Sequence, residues 1–177
     1  TAIAVTLTIP LAIFAANGTM KGDGSAESPF QIEDYEDLKA IGTGNYGYSS
    51  NYTMTADIDA SASASENCVL KGCHGFVPIG KVFGGTWDST FSGKFDGKGH
   101  TISNLHMWWP KEESTGFFAG IETGSVENLN FDHANIVGND ETIGVLAGSI
   151  SGGNVTNVHI TNSTVHGYRF IGGIFGG

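Results

Sequence analysis

The sequence predicts an all-β chain wound as a parallel β-helix, a solenoid with a short helix capping its N-terminal end. Three observations carry that expectation. The first is a recurring pattern, apolar, any, Asn, apolar, any, apolar. It reads Ile102-Ser-Asn104-Leu105-His-Met107, then Val126-Glu-Asn128-Leu129-Asn-Phe131, then Val155-Thr-Asn157-Val158-His-Ile160. The second is a glycine-framed motif, GFFAG from Gly116, GVLAG from Gly144 and GGIFG from Gly172, at 28-residue intervals. A period between roughly 20 and 50 residues marks repeat architectures. The third is composition: each unit holds two short β-branched or aromatic runs separated by Gly, Asn, Ser and Thr, with no long run at helical period. A unit this short buries its apolar side only by stacking on its neighbours. The recurring Asn then falls at one corner of successive coils. Asn tolerates left-handed backbone, and its amide can bond the chains above and below. Asn104, Asn128 and Asn157 are therefore expected to form one stacked ladder, with three unconnected turn asparagines as the alternative.

Along the chain, residues 1–16 (TAIAVTLTIPLAIFAA) are apolar and uncharged, and too short for a confident membrane span. They resemble the apolar region of a secretory signal, with Ala15 and Ala16 near a cleavage point. The rival reading makes residues 1–9 a strand of the mature chain. Residues 17–60 are expected to hold the N-terminal cap and first coil, and residues 61–177 the β-helix repeats, continuing beyond Gly177. Residues 17–28 read as a polar linker and Phe30-Gln-Ile32 as a strand. Residues 33–41 read as the capping helix: Leu38 and Ile41 share a face, acids crowd the first turn, and Gly42 stops it. Residues 52–60 are the first coil strand. Residues 61–75 are an excursion, residues 76–80 and 91–95 are strands around a loop at 81–90, and a second excursion covers 108–115. The chain stops one glycine motif into a new unit. This predicts further repeats, or another subunit, over Ile171, Ile174 and Phe175.

Composition narrows the function. At 177 residues with 40% apolar content, one sizeable core is expected, and 15% charged residues with 27 glycines suits a sheet-rich solenoid. A net charge of −10 argues against nucleic acid, which needs a basic footprint.

FSGKFDGKGHTISNL at residues 91–105, followed by the three glycine motifs, resembles the GLUG-repeat family of exported bacterial and archaeal surface proteins. The lead-in GDGSAESPFQI at residues 22–32, YTMTADID from Tyr52 and Val77-Pro-Ile-Gly80 are similar to the same proteins, so the resemblance spans residues 21–177. It implies a right-handed parallel β-helix on a secreted or cell-surface, adhesin-like protein. The same repeats accompany IgA-protease-type zinc metallopeptidases, but no HExxH occurs here. The resemblance brings no catalytic residues with it.

The remaining chemistry is sparse. Cys68 and Cys73 lie in one short loop, CVLKGC, and are expected to form a disulfide after export. A zinc site with His74 and His100 is the weaker reading, because the spacing is not CxxC. Asp88, Asp96, His100, Asp132 and His133 are the acid–base inventory of the coils. Nothing in their spacing forces them together, and Asp96-Gly-Lys-Gly reads as a turn. Trp87, Trp108 and Trp109 either stack on sugar rings as a glycan contact or cover the core where coils are irregular. Asp57, Asp59 and Asp88 form a weak calcium candidate without EF-hand spacing. Sequons at Asn17, Asn51, Asn154 and Asn162 are expected by chance at this composition.

The sequence therefore reads as a non-catalytic structural or adhesive surface module. It has no catalytic or metal residues and no required cofactor. Its partners are surface glycans, other proteins and neighbouring repeats. Two alternatives stay open: a carbohydrate-active β-helix enzyme, and a filament subunit joined through residues 1–9.

Overall fold

The computed structural model describes residues 19–83, 86–138 and 142–177. They are mostly β, and the larger sheets are parallel. The strand Ser125–Asp132 shows why this sequence chooses strand over helix. Val126, Leu129 and Phe131 have no exposure, while the residues between them are half-buried on the other face. The two-residue alternation shifts phase once, at Asn128, whose φ is 53°. That single left-handed residue turns the chain so that Leu129 points inward again.

The long sheet runs Phe30–Ile32, Asn51–Met54, Lys94–Asp96, Ser125–Asp132, with Asn154–Thr161 on the far side of Ser125–Asp132. The second half of Ser125–Asp132 also pairs with Thr101–Ser103, which in turn pairs with Ile58–Asp59. Register puts like on like. Tyr52, Phe95, Val126 and Val155 share one column. Ile58, Ile102, Phe131 and Ile160 share another. A second parallel sheet stacks His106–Trp109, Asn135–Gly138 and Thr164–His166, laying Met107 on Ile136 on Val165. A third pairs Phe118–Ile121 with Ala147–Ile150, extended by bridges from Ile79, Phe91 and Phe175. Parallel pairing needs a long crossover, and from Lys94 onward each crossover of the long sheet runs through the second and third sheets. The chain returns to the same column after 29 residues, Ser125 to Asn154 and His106 to Asn135, and after 28 from Ser114 to Thr142. The three sheets contribute their apolar faces to one core. Its centre is a run of rings, in which Phe117 lies within 6 Å of Phe76, Phe95, Phe118 and Phe131.

At the N-terminal end the helix is Tyr35–Ala40, started by the Asp34 carboxylate, which accepts from the Asp37 N–H. Tyr35 and Leu38 are buried, and Tyr35 tilts against Phe76. At the other end Tyr168, Phe170, Ile171, Ile174 and Phe175 are exposed.

Several expected elements are redrawn. The strand expected over 52–60 is two strands, Asn51–Met54 and Ile58–Asp59. The excursion at 61–75 contains the 3-10 turn Ser61–Ser65 and an antiparallel hairpin, Cys68–Val69 with Gly72–Cys73. The loop expected at 81–90 carries a second hairpin, Lys81–Phe83 with Thr86–Ser89. The excursion expected at 108–115 shrinks to residues 110–113. Trp108 and Trp109 belong to the second sheet opposite Val137 and Gly138, and Ser114–Thr115 pairs with Thr142–Ile143. Paired tryptophans beside a proline read as loop because their partners, His74 and Phe76, are far away in sequence. Residues 1–16 lie outside the described residues.

Candidate functional site

The recurring asparagines form two columns, where one was expected. Asn128 and Asn157 follow the paired residues Glu127 and Thr156, so they stack directly. Asn157 donates its amide to Asn128 Oδ1 at 2.9 Å, and Asn128 donates to Asp96 Oδ1 at 3.1 Å. Asn104 does not belong to this column. Its strand pairs Ser103 with Asp132, and Asp132 with Thr161, which places Asn104 beside His133 and Asn162. All three of those residues have φ between 49° and 59°. Asn104 donates to Asp59 Oδ1 at 3.0 Å, and Asn162 donates to Asp132 Oδ1 at 2.8 Å. In three of these four bonds, a left-handed Asn donates to a carboxylate one position earlier on the neighbouring strand. The single ladder fails because the left-handed turns at Asn128 and at His133 share the same local pattern. Phe131-Asp-His133-Ala134-Asn-Ile136 fills it with His in place of Asn. The unequal steps of 24 and 29 residues between Asn104, Asn128 and Asn157 are the signal of that mismatch.

The turn before the first column explains its odd sequence. Four residues, Gly97 to His100, face Asn128 and Leu129, because Asp96 pairs with Glu127 and Thr101 with Asn130. A Cβ on Gly97 would lie 2.5 Å from the Asn128 carbonyl oxygen and 2.8 Å from the Leu129 Cα, so only glycine fits against the column.

Electrostatics follow from this use of carboxylates. Asp96 is nearly buried, and burial pushes its carboxyl up. The Lys98 ammonium at 2.8 Å, the Asn128 amide and the Lys98 backbone N–H outweigh that, and it falls to about 2. Asp132 falls to about 2 through hydrogen bonds from Asn162, Thr161 and His133. Asp59 is lowered by Asn104 and Ser61, and Asp57 by the Thr101 N–H and His100. A carboxyl held below its ordinary value stabilises the fold above the unfolded value, and loses that stabilisation as pH falls through the folded value. For Asp96 the window runs from 3.8 down to about 2. Asp96→Asn should therefore cost about 2 kcal/mol at neutral pH, and the difference from wild type should close by the bottom of that window. Urea melts across the acid range check it, and a gap that stays constant contradicts it.

The acid–base inventory is dispersed. Asp96 and Asp132 stand at the two corners of the long sheet, on the order of 15 Å apart along a strand. His100 Nδ1 meets Asp57 at 3.0 Å, and His133 Nδ1 meets Asp132 at 2.8 Å. These carboxylates are occupied as acceptors within the columns. Asp57 and Asp59, read as a weak calcium candidate, are engaged in the same way. Among the described residues no three His, Cys, Asp or Glu side chains gather as a metal site. The side chains of Trp87 and Asp88 lie outside the described part.

Cys68 and Cys73 pair across their hairpin and are joined in a disulfide. Their sulfurs are thus not thiolate ligands for a zinc site with His74 and His100. The hairpin rests on Trp108, 3.0 Å from where a Cβ on Gly72 would stand. His74 stacks on Trp108 at 5.3 Å and tilts on Trp109 at 4.8 Å, and its Nδ1 lies 2.8 Å from the Trp108 carbonyl oxygen. Trp109 donates its indole N–H to the Phe76 carbonyl at 2.7 Å and packs on the core. The two tryptophans are therefore half-buried and held in place. A cleft of about 170 Å³ lies between Trp109, Val77, Pro78, Lys81, Glu112 and Ser114. Sequence reasoning missed Lys81 and Glu112, which carry no local motif.

No family model matches the chain, so the likeness to GLUG repeats rests on the residues quoted above. Over 163 residues, the chain is 36% identical to Halomucin of Haloquadratum walsbyi. It is similar to a stretch of that protein. The alignment covers 92% of this chain and 2% of Halomucin, so the chain spans a small piece of its relative's length. A solved structure described as an immunoglobulin A1 protease from Bacteroides ovatus overlaps with a TM-score of 0.49 at 15% identity, across 88% of this chain and 63% of that one. At that overlap the likeness settles neither fold nor chemistry. No helix among the described residues is long and apolar enough to cross a membrane.

Proposed function

We propose that the chain is a stretch of an extracellular right-handed parallel β-helix, and that its work is structural and adhesive, without catalysis of its own. The observation that carries this reading is the use of the outward carboxylates. Asp59, Asp96 and Asp132 accept from asparagines of a neighbouring repeat, and each is thereby committed to holding repeats together. A lyase or hydrolase of this architecture needs paired carboxylates, or a base beside a cation, free to meet substrate. Repeats that contact only their neighbours make a stiff rod, suited to spacing and presenting what is attached to it. The similarity to part of Halomucin, and the signal-like opening of the sequence, support an exported, surface-exposed setting.

The purified chain, incubated with polygalacturonate and alginate with and without calcium, should release no new chain ends. Cleavage that co-purifies with the protein and disappears in Asp96→Asn or Asp132→Asn would replace this reading with the enzymatic one. A membrane-impermeant label applied to intact source cells should modify the protein, and protection until lysis would contradict the surface setting.

A further inference from the structure

We propose that the cleft beside Trp109 is a binding site for a neutral hexopyranose unit, the contact through which the module adheres to glycans. The inference rests on the adhesive reading above and gives it a place and a ligand class.

Three clefts can be compared. The largest, about 320 Å³, is lined by Lys39, Glu66, Asn67, Phe76 and Val77. Its charges are already satisfied: Lys39 pairs with Glu66 at 2.8 Å and Glu36 at 2.7 Å, and Tyr35 donates to Glu66 at 2.7 Å. These contacts hold the capping helix to the 61–75 segment. A second, about 200 Å³, lies over Asp96, Lys94 and Lys98, and its charges are likewise paired, Lys98 with Asp96 and Lys94 with Glu127. The third is different. Lys81 is exposed and Glu112 half-buried, and neither forms an ion pair or side-chain hydrogen bond among the described residues. The Trp109 indole lines the same cleft, together with the apolar Val77 and Pro78.

An aromatic face with hydrogen-bonding groups at its rim matches a pyranose. The ring's C–H face packs on the indole, and the hydroxyls at its edge meet fixed polar groups. The indole is preorganised: His74 packs against it and Phe76 holds its N–H, so binding need not freeze it. A carboxylate accepts from two neighbouring hydroxyls, and an ammonium donates to a hydroxyl or ring oxygen. The cleft, at about 170 Å³, suits one sugar unit better than a larger ligand. Neutrality follows from charge. The lining carries one ammonium and one carboxylate, and the chain's net charge of −10 disfavours an anion.

The test is heteronuclear NMR of the full chain, titrated separately with glucose, galactose, mannose and N-acetylglucosamine, and with glucuronate as the anionic comparison. At least one neutral hexose should shift the Trp109 indole resonance saturably, with a millimolar dissociation constant. Glu112→Gln and Lys81→Gln, at solvent-facing positions that leave the core intact, should each weaken that binding roughly tenfold, the worth of one charge-assisted hydrogen bond. No saturable shift with any of the four neutral sugars overturns the site. Binding indifferent to both rim variants overturns its location, and tighter binding of glucuronate overturns the neutral assignment. All three failures leave the register of the repeats untouched, so they are distinguishable from failure of the structural reading.

Discussion

Phe117→Ala should destabilise the protein by about 3–5 kcal/mol, the largest effect expected of any single truncation here. Phe117 has no solvent exposure and meets four other rings: Phe76 stacked at 5.4 Å, and Phe95, Phe118 and Phe131 edge-on at 5.9, 4.9 and 5.5 Å. Those neighbours come from the segment after the first hairpin, from the long sheet and from the third sheet. The ring therefore joins the long sheet to the third sheet, whose strands do not pair with each other. Its removal loses the transfer energy of the side chain, leaves a cavity and cancels several edge-to-face contacts. Urea unfolding measures the cost. A loss below about 1 kcal/mol would mean that these rings do not share one core.

Asn128→Leu should cost about 2–5 kcal/mol, for two separable reasons. Leucine removes the donor to Asp96 and the acceptor for Asn157, at about 1–3 kcal/mol for partners left unmatched. It also puts a branched side chain at a φ of 53°, which adds roughly 1–2 kcal/mol. Asn128→Gly separates the two, because glycine relieves the backbone term and keeps only the lost hydrogen bonds. Glu127→Ala, one position earlier, breaks a solvent-screened pair with Lys94 and should stay within about 1 kcal/mol. Equal costs for Asn128→Leu and Glu127→Ala, read from the same urea melts, would remove the column from the account.

Much of the architecture is legible in the sequence because it is written locally. The inward residues Val126, Leu129 and Phe131 follow from alternation around one turn residue. Asp34 and Gly42 bound the helix Tyr35–Ala40, and the short separation of Cys68 and Cys73 foretells their pairing. Register is less legible, since it depends on which repeat of a degenerate pattern meets which. Asn104 and Asn128 carry the same local signature yet stand at different corners, and only the spacing of 24 against 29 residues separates them. The candidate site is the least legible part. Lys81, Trp109 and Glu112 come from a hairpin, a sheet strand and a connecting turn, and no spacing announces that they meet. Trp109 reads as loop because its burial is supplied by His74 and Phe76, far away in sequence.

The register of the parallel strands is the claim on which the columns, the core and the proposed solenoid depend, and cysteine pairing tests it directly. Thr101 lies opposite Asn130 when repeats align as the structure has them. Aligning the asparagine motifs instead, Asn104 on Asn128, would set Thr101 opposite Ser125. Two double variants, Thr101→Cys with Asn130→Cys and Thr101→Cys with Ser125→Cys, are made with the native Cys68–Cys73 bridge retained. Mild oxidation followed by intact-mass analysis of alkylated, denatured protein counts the remaining thiols. Neighbouring parallel strands place paired Cα atoms within disulfide range, and a slip of five residues does not. The account predicts no free thiols in the first variant and two in the second; two in the first and none in the second would contradict it.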